Sequence, residues 1–184
     1  MVNPYIVGKN VYLRHPIEDD VYGGWYEWFS DEEITKYLTE RHWPNSQDTQ
    51  LDFYKSLKDN KEKLVLSIID KGNDKHIGII SLSGINWVHR YAEISVVIGD
   101  KDYNHGTVLT ESFALMLKIA FTKLNLLNLM SAYAESNEKS KVLHRLFKFK
   151  QGGCLKNFLF INEKYEDLII EFIDQESWIE RNHK

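Results

Sequence analysis

Residues 111–124 carry Phe113, Leu115, Met116, Leu117, Ile119, Phe121 and Leu124, apolar side chains on most of the circumference of a helix. A helix with so little polar face must be buried between a sheet and other elements. The flanking segments can supply that sheet. Residues 90–98 before it and 126–134 after it are rich in the β-branched and apolar residues that favour strands. Strands packed around a buried helix require a layered α/β or α+β fold.

The rest of the chain reads in the same terms. Residues 11–14 form a first strand. Asp19 or Asp20 can cap a helix carrying Trp25, Trp28 and Phe29, and residues 31–38 continue as a second short helix. Pro44 breaks the pattern, because proline disfavours helix at the residue before it. Ser46 or Asp48 starts a third helix through Leu51, Tyr54 and Leu57. Strands follow at 64–69 and 77–85 across a Gly72-Asn73-Asp74 turn. Gly78 and Gly84 are candidates for bulges or close backbone approach. After the 126–134 strand, Ser136 or Asn137 caps a helix to about Phe149 and Gly152-Gly153 forms a turn. Residues 158–161 and 168–173 close a hairpin, and 174–182 form a short helix. No repeat, low-complexity tract or linker interrupts this order, so residues 1–184 read as one domain with length enough for a real core.

Charge and composition exclude several classes of function. The formal net charge is −4, and Lys and Arg are spread along the chain, so no basic stripe offers itself to nucleic acid. No apolar run approaches the ~20 residues of a membrane span. The opening Met-Val-Asn-Pro-Tyr lacks the basic and apolar regions of a signal peptide. Cys154 is the single cysteine; it permits no internal disulfide and suits a reducing cytoplasm. His15, His42, His76, His89, His105, His144 and His183 form no i, i+4 pair and have no cysteine partner, so no metal is implied.

The junction between residues 90–98 and the buried helix carries the chemistry. It runs Ile98-Gly99-Asp100-Lys101-Asp102-Tyr103-Asn104-His105-Gly106-Thr107-Val108-Leu109-Thr110-Glu111-Ser112. A strand, a short loop and a helix N-terminus hold phosphate well, since unpaired N–H groups converge there and the helix dipole favours negative charge. This stretch resembles the acetyl-CoA-binding core of the GNAT N-acetyltransferases, in particular the branch that acetylates ribosomal-protein N-termini and its relatives. The resemblance covers nearly the whole chain. Tyr12-Leu13-Arg14 is similar to the family's opening strand and Lys75-His76-Ile77-Gly78 to its third. Phe149-Lys150-Gln151-Gly152-Gly153, Asn157-Phe158-Leu159-Phe160-Ile161-Asn162 and Tyr165-Glu166-Asp167 are similar to its closing segment. The resemblance implies the GNAT fold: a central, mostly antiparallel sheet with helices on both faces, splayed between its fourth and fifth strands, those ending near Ile98 and Ala134.

It also implies a site for acetyl-CoA as co-substrate. The backbone of Val96, Val97 and Ile98 would bond the pantetheine amides like an added strand, although the pattern alone is that of a buried strand. His105, Gly106, Thr107, Val108, Leu109 and Thr110 would face the pyrophosphate. The family loop uses several glycines to curl around phosphate. Here Gly106 stands alone among β-branched Thr107 and Val108, which resist positive φ, so the loop has either an altered conformation or no coenzyme A to bind. Asn137 matches the residue whose amide meets the pantetheine or the acetyl end, and it also suits an N-cap. His144 stands where many members carry a tyrosine that protonates the leaving thiolate, a task imidazole can perform. Lys148 replaces a family glycine at the end of that helix, which implies a changed helix end. Glu93 is the candidate general base, its alternative being a paired or solvated strand carboxylate, and Glu111 is a weaker one, its alternative being a first-turn helix charge. Asp19, Asp20, Asp31 and Glu32 fall in the region that lines the family's acceptor side. Trp25, Trp28 and Trp43 read as core, with Trp43 beside Pro44 as an alternative wall of the acceptor pocket.

The expected function is therefore N-acetyl transfer from acetyl-CoA to a primary amine, the acceptor being a small molecule such as an amino sugar. A protein N-terminus is the alternative acceptor. A GNAT-fold binding protein without catalysis is the alternative from another class, favoured by the lost loop glycines and opposed by Glu93, Glu111 and Asn137. Neither nucleic acid nor membrane is an expected partner, and a homodimer is one assembly the reading admits. The acyl length of the donor stays open.

Overall fold

The computed structural model describes residues 1–38, 42–103 and 106–182. Among these residues eight strands form one sheet: β1 Pro4–Val7, β2 Val11–Arg14, β3 Leu64–Asp70, β4 His76–Asn86, β5 Tyr91–Ile98, β6 Asn128–Ala134, β7 Lys150–Ile161 and β8 Lys164–Asp174. The order across the sheet is β1-β2-β3-β4-β5-β6-β8-β7. Neighbours are antiparallel except β5 and β6. The helices are α1 over residues 18–29, α2 Glu32–Thr35, α3 Gln47–Ser56, α4 Gly106–Lys118 running on through Ile119–Lys123, α5 Glu138–Phe147 and α6 Gln175–Asn182.

The period of two along the strands sorts the core into two layers. On one face Leu66, Ile68, Ile80, Leu82 and Ile94 pack with Phe113, Met116 and Leu117 of α4. On the other, Val65 and Ile79 pack with Val21, Trp25, Trp28 and Leu57 under α1–α3. The apolar helix expected from the sequence is α4, but it begins at Gly106, five residues before Glu111. Residues from Gly106 onward, expected to lie in a phosphate loop, thus form its opening turns.

A buried ion pair fixes α1 over the sheet. Arg14 Nη1 and Nη2 donate to Asp20 Oδ2 and Oδ1, both at 2.7 Å. Asp20 also accepts from Ser67 Oγ at 2.8 Å and from the Ile17 N–H at 3.0 Å. The Arg14 guanidinium, Ile17 N–H and nearby His76 hold the Asp20 carboxyl below its usual value against the opposing effect of burial. Asp20 is therefore a structural anchor and not a group that draws an amine.

Strand β1 was absent from the sequence reading; it is short, mostly exposed and breaks register between Pro4 and Ile6. Gly152-Gly153 is not a turn. It lies inside β7, where the pairing with β8 slips between Gln151 and Gly153. An edge strand accommodates such a slip, and glycine suits it. Gly84 has φ +58° at the irregularity between Ser83 and Asn86, as its bulge reading requires.

Candidate active site

Strands β5 and β6 stay together only at Tyr91↔Asn128, Ala92↔Leu129 and Glu93↔Met130. Beyond Glu93, β5 remains paired with β4 as far as Gly78↔Ile98, and β6 with β8 as far as Ala134↔Leu168. The facing edges therefore part into a wedge whose backbone N–H and C=O groups have no strand partner across it. Parallel strands need a crossover, and α4 supplies it. The wedge opens into a cavity of about 750 Å³, within the ~300–1,000 Å³ usual for small-molecule sites.

Val96 and Val97 line this cavity, whereas Ile98 packs against the main core. The N-terminus of α4 follows β5 in the chain; Phe113 of α4 lines the cavity, and residues 106–110 do not. Gly106 and Thr107 are exposed, Leu109 and Thr110 half-buried. Val108 is a core residue, so it can offer a ligand only its backbone. The first amides of a helix lack an intrahelical acceptor. Beyond its chain neighbours and its own helix backbone, no atom of the described residues lies within 4 Å of where a Gly106 Cβ would stand, so packing among them does not demand this glycine. His105 lies outside the described residues. Gly99, just upstream, is demanded by packing: any Cβ there would overlap the Trp28 indole.

Asn137 lines the cavity and also caps α5, its side-chain oxygen accepting from the Ser140 N–H at 3.2 Å. Its N-cap reading is thus the one observed directly. Lys148 adopts the left-handed conformation at the end of α5 that a glycine would take, with φ 56° and ψ 44°. The turn it makes lays Phe149 flat on the His144 ring, centroids 4.5 Å apart and planes at 15°. Tyr133 meets the same ring edge-on at 4.9 Å.

His144 is 2% exposed and lines the cavity. Its Nδ1 lies 2.8 Å from Glu171 Oε2 of β8. A carboxylate only accepts, so Nδ1 carries the hydrogen, and in the neutral ring Nε2 keeps its lone pair. Burial pushes the imidazole below its usual value, more than the Glu171 carboxylate raises it. Burial and the Glu171 charge push the Tyr133 phenol up to about 12. The arrangement is a neutral imidazole oriented by a carboxylate, the geometry of a general base that can hold a proton briefly.

Glu93 is exposed at the last position where β5 pairs with β6 and also lines the cavity. Its carboxylate has no protein partner among the described residues, leaving it available to a ligand. Glu111 does not share the site. It accepts from the Asn10 N–H at 2.9 Å and from Asn10 Nδ2 at 2.8 Å, tying α4 to the β1–β2 turn. Asp31 caps α2 and pairs with Lys101 at 2.8 Å. Among the tryptophans of the acceptor region, Trp25 and Trp28 are core, while Trp43 is 79% exposed on the cavity rim. Glu171 escaped the sequence reading. Its signal was a lone carboxylate in the apolar run Leu168-Ile169-Ile170-Glu171-Phe172-Ile173.

The sequence profile of the acetyltransferase (GNAT) domain matches residues 10–150. The spermidine N(1)-acetyltransferase of Vibrio cholerae serotype O1 is 27% identical over 149 residues, which are 81% of this chain and 84% of that protein. The Escherichia coli spermidine N(1)-acetyltransferase is 32% identical over 102 residues, 55% of this chain and 54% of that protein. The crystal structure of spermidine N-acetyltransferase from Vibrio cholerae in complex with CoA and spermine superposes with a TM-score of 0.86 at 23% identity, covering 94% of this chain and 99% of that one.

Proposed function

This chain belongs to the GNAT acetyltransferase family and is an acetyl-CoA-dependent N-acetyltransferase, and we propose that it acetylates a primary amine of a small molecule, with Glu93 and His144 moving the protons. The observation that carries the reading is that the wedge, Glu93 and His144, the last oriented from behind by Glu171, all meet at one cavity. The acceptor named for the two spermidine N(1)-acetyltransferases is a small amine rather than a protein N-terminus. It gives an amino sugar no preference over other small amines.

The thioester arm occupies the wedge, hydrogen-bonded by the unpaired edge of β5, whose N–H groups polarise the carbonyl. The opening turn of α4 meets the pyrophosphate. Glu93, directly or through water, takes one proton from the arriving ammonium and passes it to solvent. The neutral amine attacks the carbonyl carbon and its nitrogen becomes cationic. His144 Nε2 accepts a proton from that nitrogen, and the Glu171 carboxylate stabilises the imidazolium. The C–S bond then breaks and the imidazolium returns its proton to the sulfur. His144 thus begins as a base and becomes the acid that the sequence reading expected. One proton is released overall, with the amide and the free thiol.

The test is turnover of acetyl-CoA on a panel of small amines and N-terminal peptides, read by thiol release and product mass. Small amines should be acetylated, and Glu93→Gln should slow turnover ~10²–10⁴-fold with coenzyme A affinity intact. Acetylation of peptides alone would overturn the reading.

A further inference from the structure

We infer, resting on the small-amine reading above, that the acceptor carries an anionic group besides its amine and that Lys63 receives it. The register of three strands builds the cavity floor. Val65↔Ser81 and Ser81↔Ser95 form one row. The next row on the same face contains Ser83↔Glu93, and Lys63 precedes Leu64, which faces Leu82. The pairing runs past Lys63, because the Ile85 N–H donates to the Glu62 carbonyl at 2.9 Å. Lys63 therefore stands opposite Ser83, with Glu93 on its far side, and all three line the cavity. At ~4.8 Å per strand, the backbones of Lys63 and Glu93 are roughly 10 Å apart.

Lys63 Nζ is held 5.3 Å from the centroid of the Phe53 ring. Phe53 meets Trp25 edge-on at 5.9 Å, and both rings line the same cavity. Lys63 also borders a smaller cavity beside Asp59, but its ammonium lies by the Phe53 ring, which lines the larger one, and has no carboxylate partner among the described residues, so its charge is open to whatever fills that larger space. Among the described lining residues, Lys63 is the positive charge and Glu93 the negative one. This is a dipolar floor with a serine hydroxyl between its poles. An acceptor with its amine at Glu93 and a carboxylate or phosphate at Lys63 is complementary at both ends. A diamine or polyamine presents its second ammonium to Lys63, and like charges in a partly desolvated site repel.

The test measures kcat and KM of the full chain with ω-amino carboxylates, aminoalkyl phosphates, chain-matched diamines, amino alcohols and spermidine. Wild type should favour the amino carboxylates or the aminoalkyl phosphates over matched diamines by about ten- to a hundredfold in kcat/KM, the range of one charge-assisted hydrogen bond. Which of the two is better identifies the anion. Lys63→Met should erase most of that preference through KM, with kcat and coenzyme A affinity little changed. Lys63→Glu should reverse it toward diamines. Preference for diamines or spermidine in wild type, or equal effects of Lys63→Met on anionic and alcohol acceptors, would overturn the inference and leave the small-amine reading standing. Failure of every small amine while peptides react would overturn that reading and the inference with it.

Discussion

Replacing Glu171 by Gln removes the negative charge from a pair whose other member, His144, is almost wholly buried. The Nδ1···Oε2 distance of 2.8 Å identifies a charge-assisted hydrogen bond once the ring is protonated. Such bonds contribute ~1.5–3 kcal/mol, and at ~1.36 kcal/mol per pH unit their loss lowers the imidazolium value by about one to two units. If the proton resides on His144 in the rate-limiting step, kcat falls about ten- to a hundredfold. Coenzyme A affinity should not change, because Glu171 does not line the wedge. The pH profile supplies a second reading. His144 must be unprotonated to accept from the attacking amine, so its titration sets the acid limb. Glu171 raises that value, so its removal moves the limb to lower pH even as the rate falls. Adding Glu171→Gln to a His144→Ala background should have little further effect, since the two act as one unit. An unchanged kcat with an unmoved acid limb would refute the relay, and a parallel loss of coenzyme A affinity would make Glu171 a structural residue only.

Three further outcomes concern the scaffold. Gly99→Ala forces a methyl group into the Trp28 indole; overpacking of this kind costs ~1–3 kcal/mol, and calorimetry should record a lower Tm, whereas an unshifted Tm would show that the loop relaxes freely. Asp20→Ala strands the buried Arg14 guanidinium and should cost ~3–5 kcal/mol in urea unfolding, more than the paired Arg14→Met, Asp20→Leu exchange. His76 is nearly buried against Trp25 and Trp28, and burial, its largest cause, drops its value from 6.5 to about 4. The unfolded chain therefore binds a proton that the folded one resists. Stability is full above pH 6.5 and falls as the pH is lowered toward 4, by up to ~3 kcal/mol; His76→Asn should flatten this part of the stability curve, and an unaltered slope would assign the acid sensitivity to other groups.

The layered fold was legible because its signals are local. The apolar α4, the strand runs around it and the Ser46 cap of α3 each follow from side-chain pattern and capping chemistry. The wedge was legible only by resemblance, since nothing in the composition of Val96-Val97-Ile98 says that their strand leaves its neighbour. β1 escaped because an exposed edge strand has no alternating burial to display. Gly152-Gly153 misled because a glycine pair is as compatible with a slip in an edge strand as with a turn. At the site, Glu93 and His144 were identified as candidates, but the partner that sets the His144 tautomer lies 27 residues away on β8, and such pairings are fixed by sheet register. Lys63 was hidden for the same reason: it reaches Glu93 through two inter-strand registers, not through sequence proximity.

Backbone hydrogen exchange with and without coenzyme A tests the central claim most directly. If the thioester arm fills the wedge as an added strand and its pyrophosphate meets the start of α4, amides within 95–98 and 106–109 should slow on binding. Those of α6, which packs beside Phe121 at the other end of α4 and does not line the cavity, should be unaffected. Binding without protection at either segment, or protection confined to surfaces away from the wedge, would contradict the account.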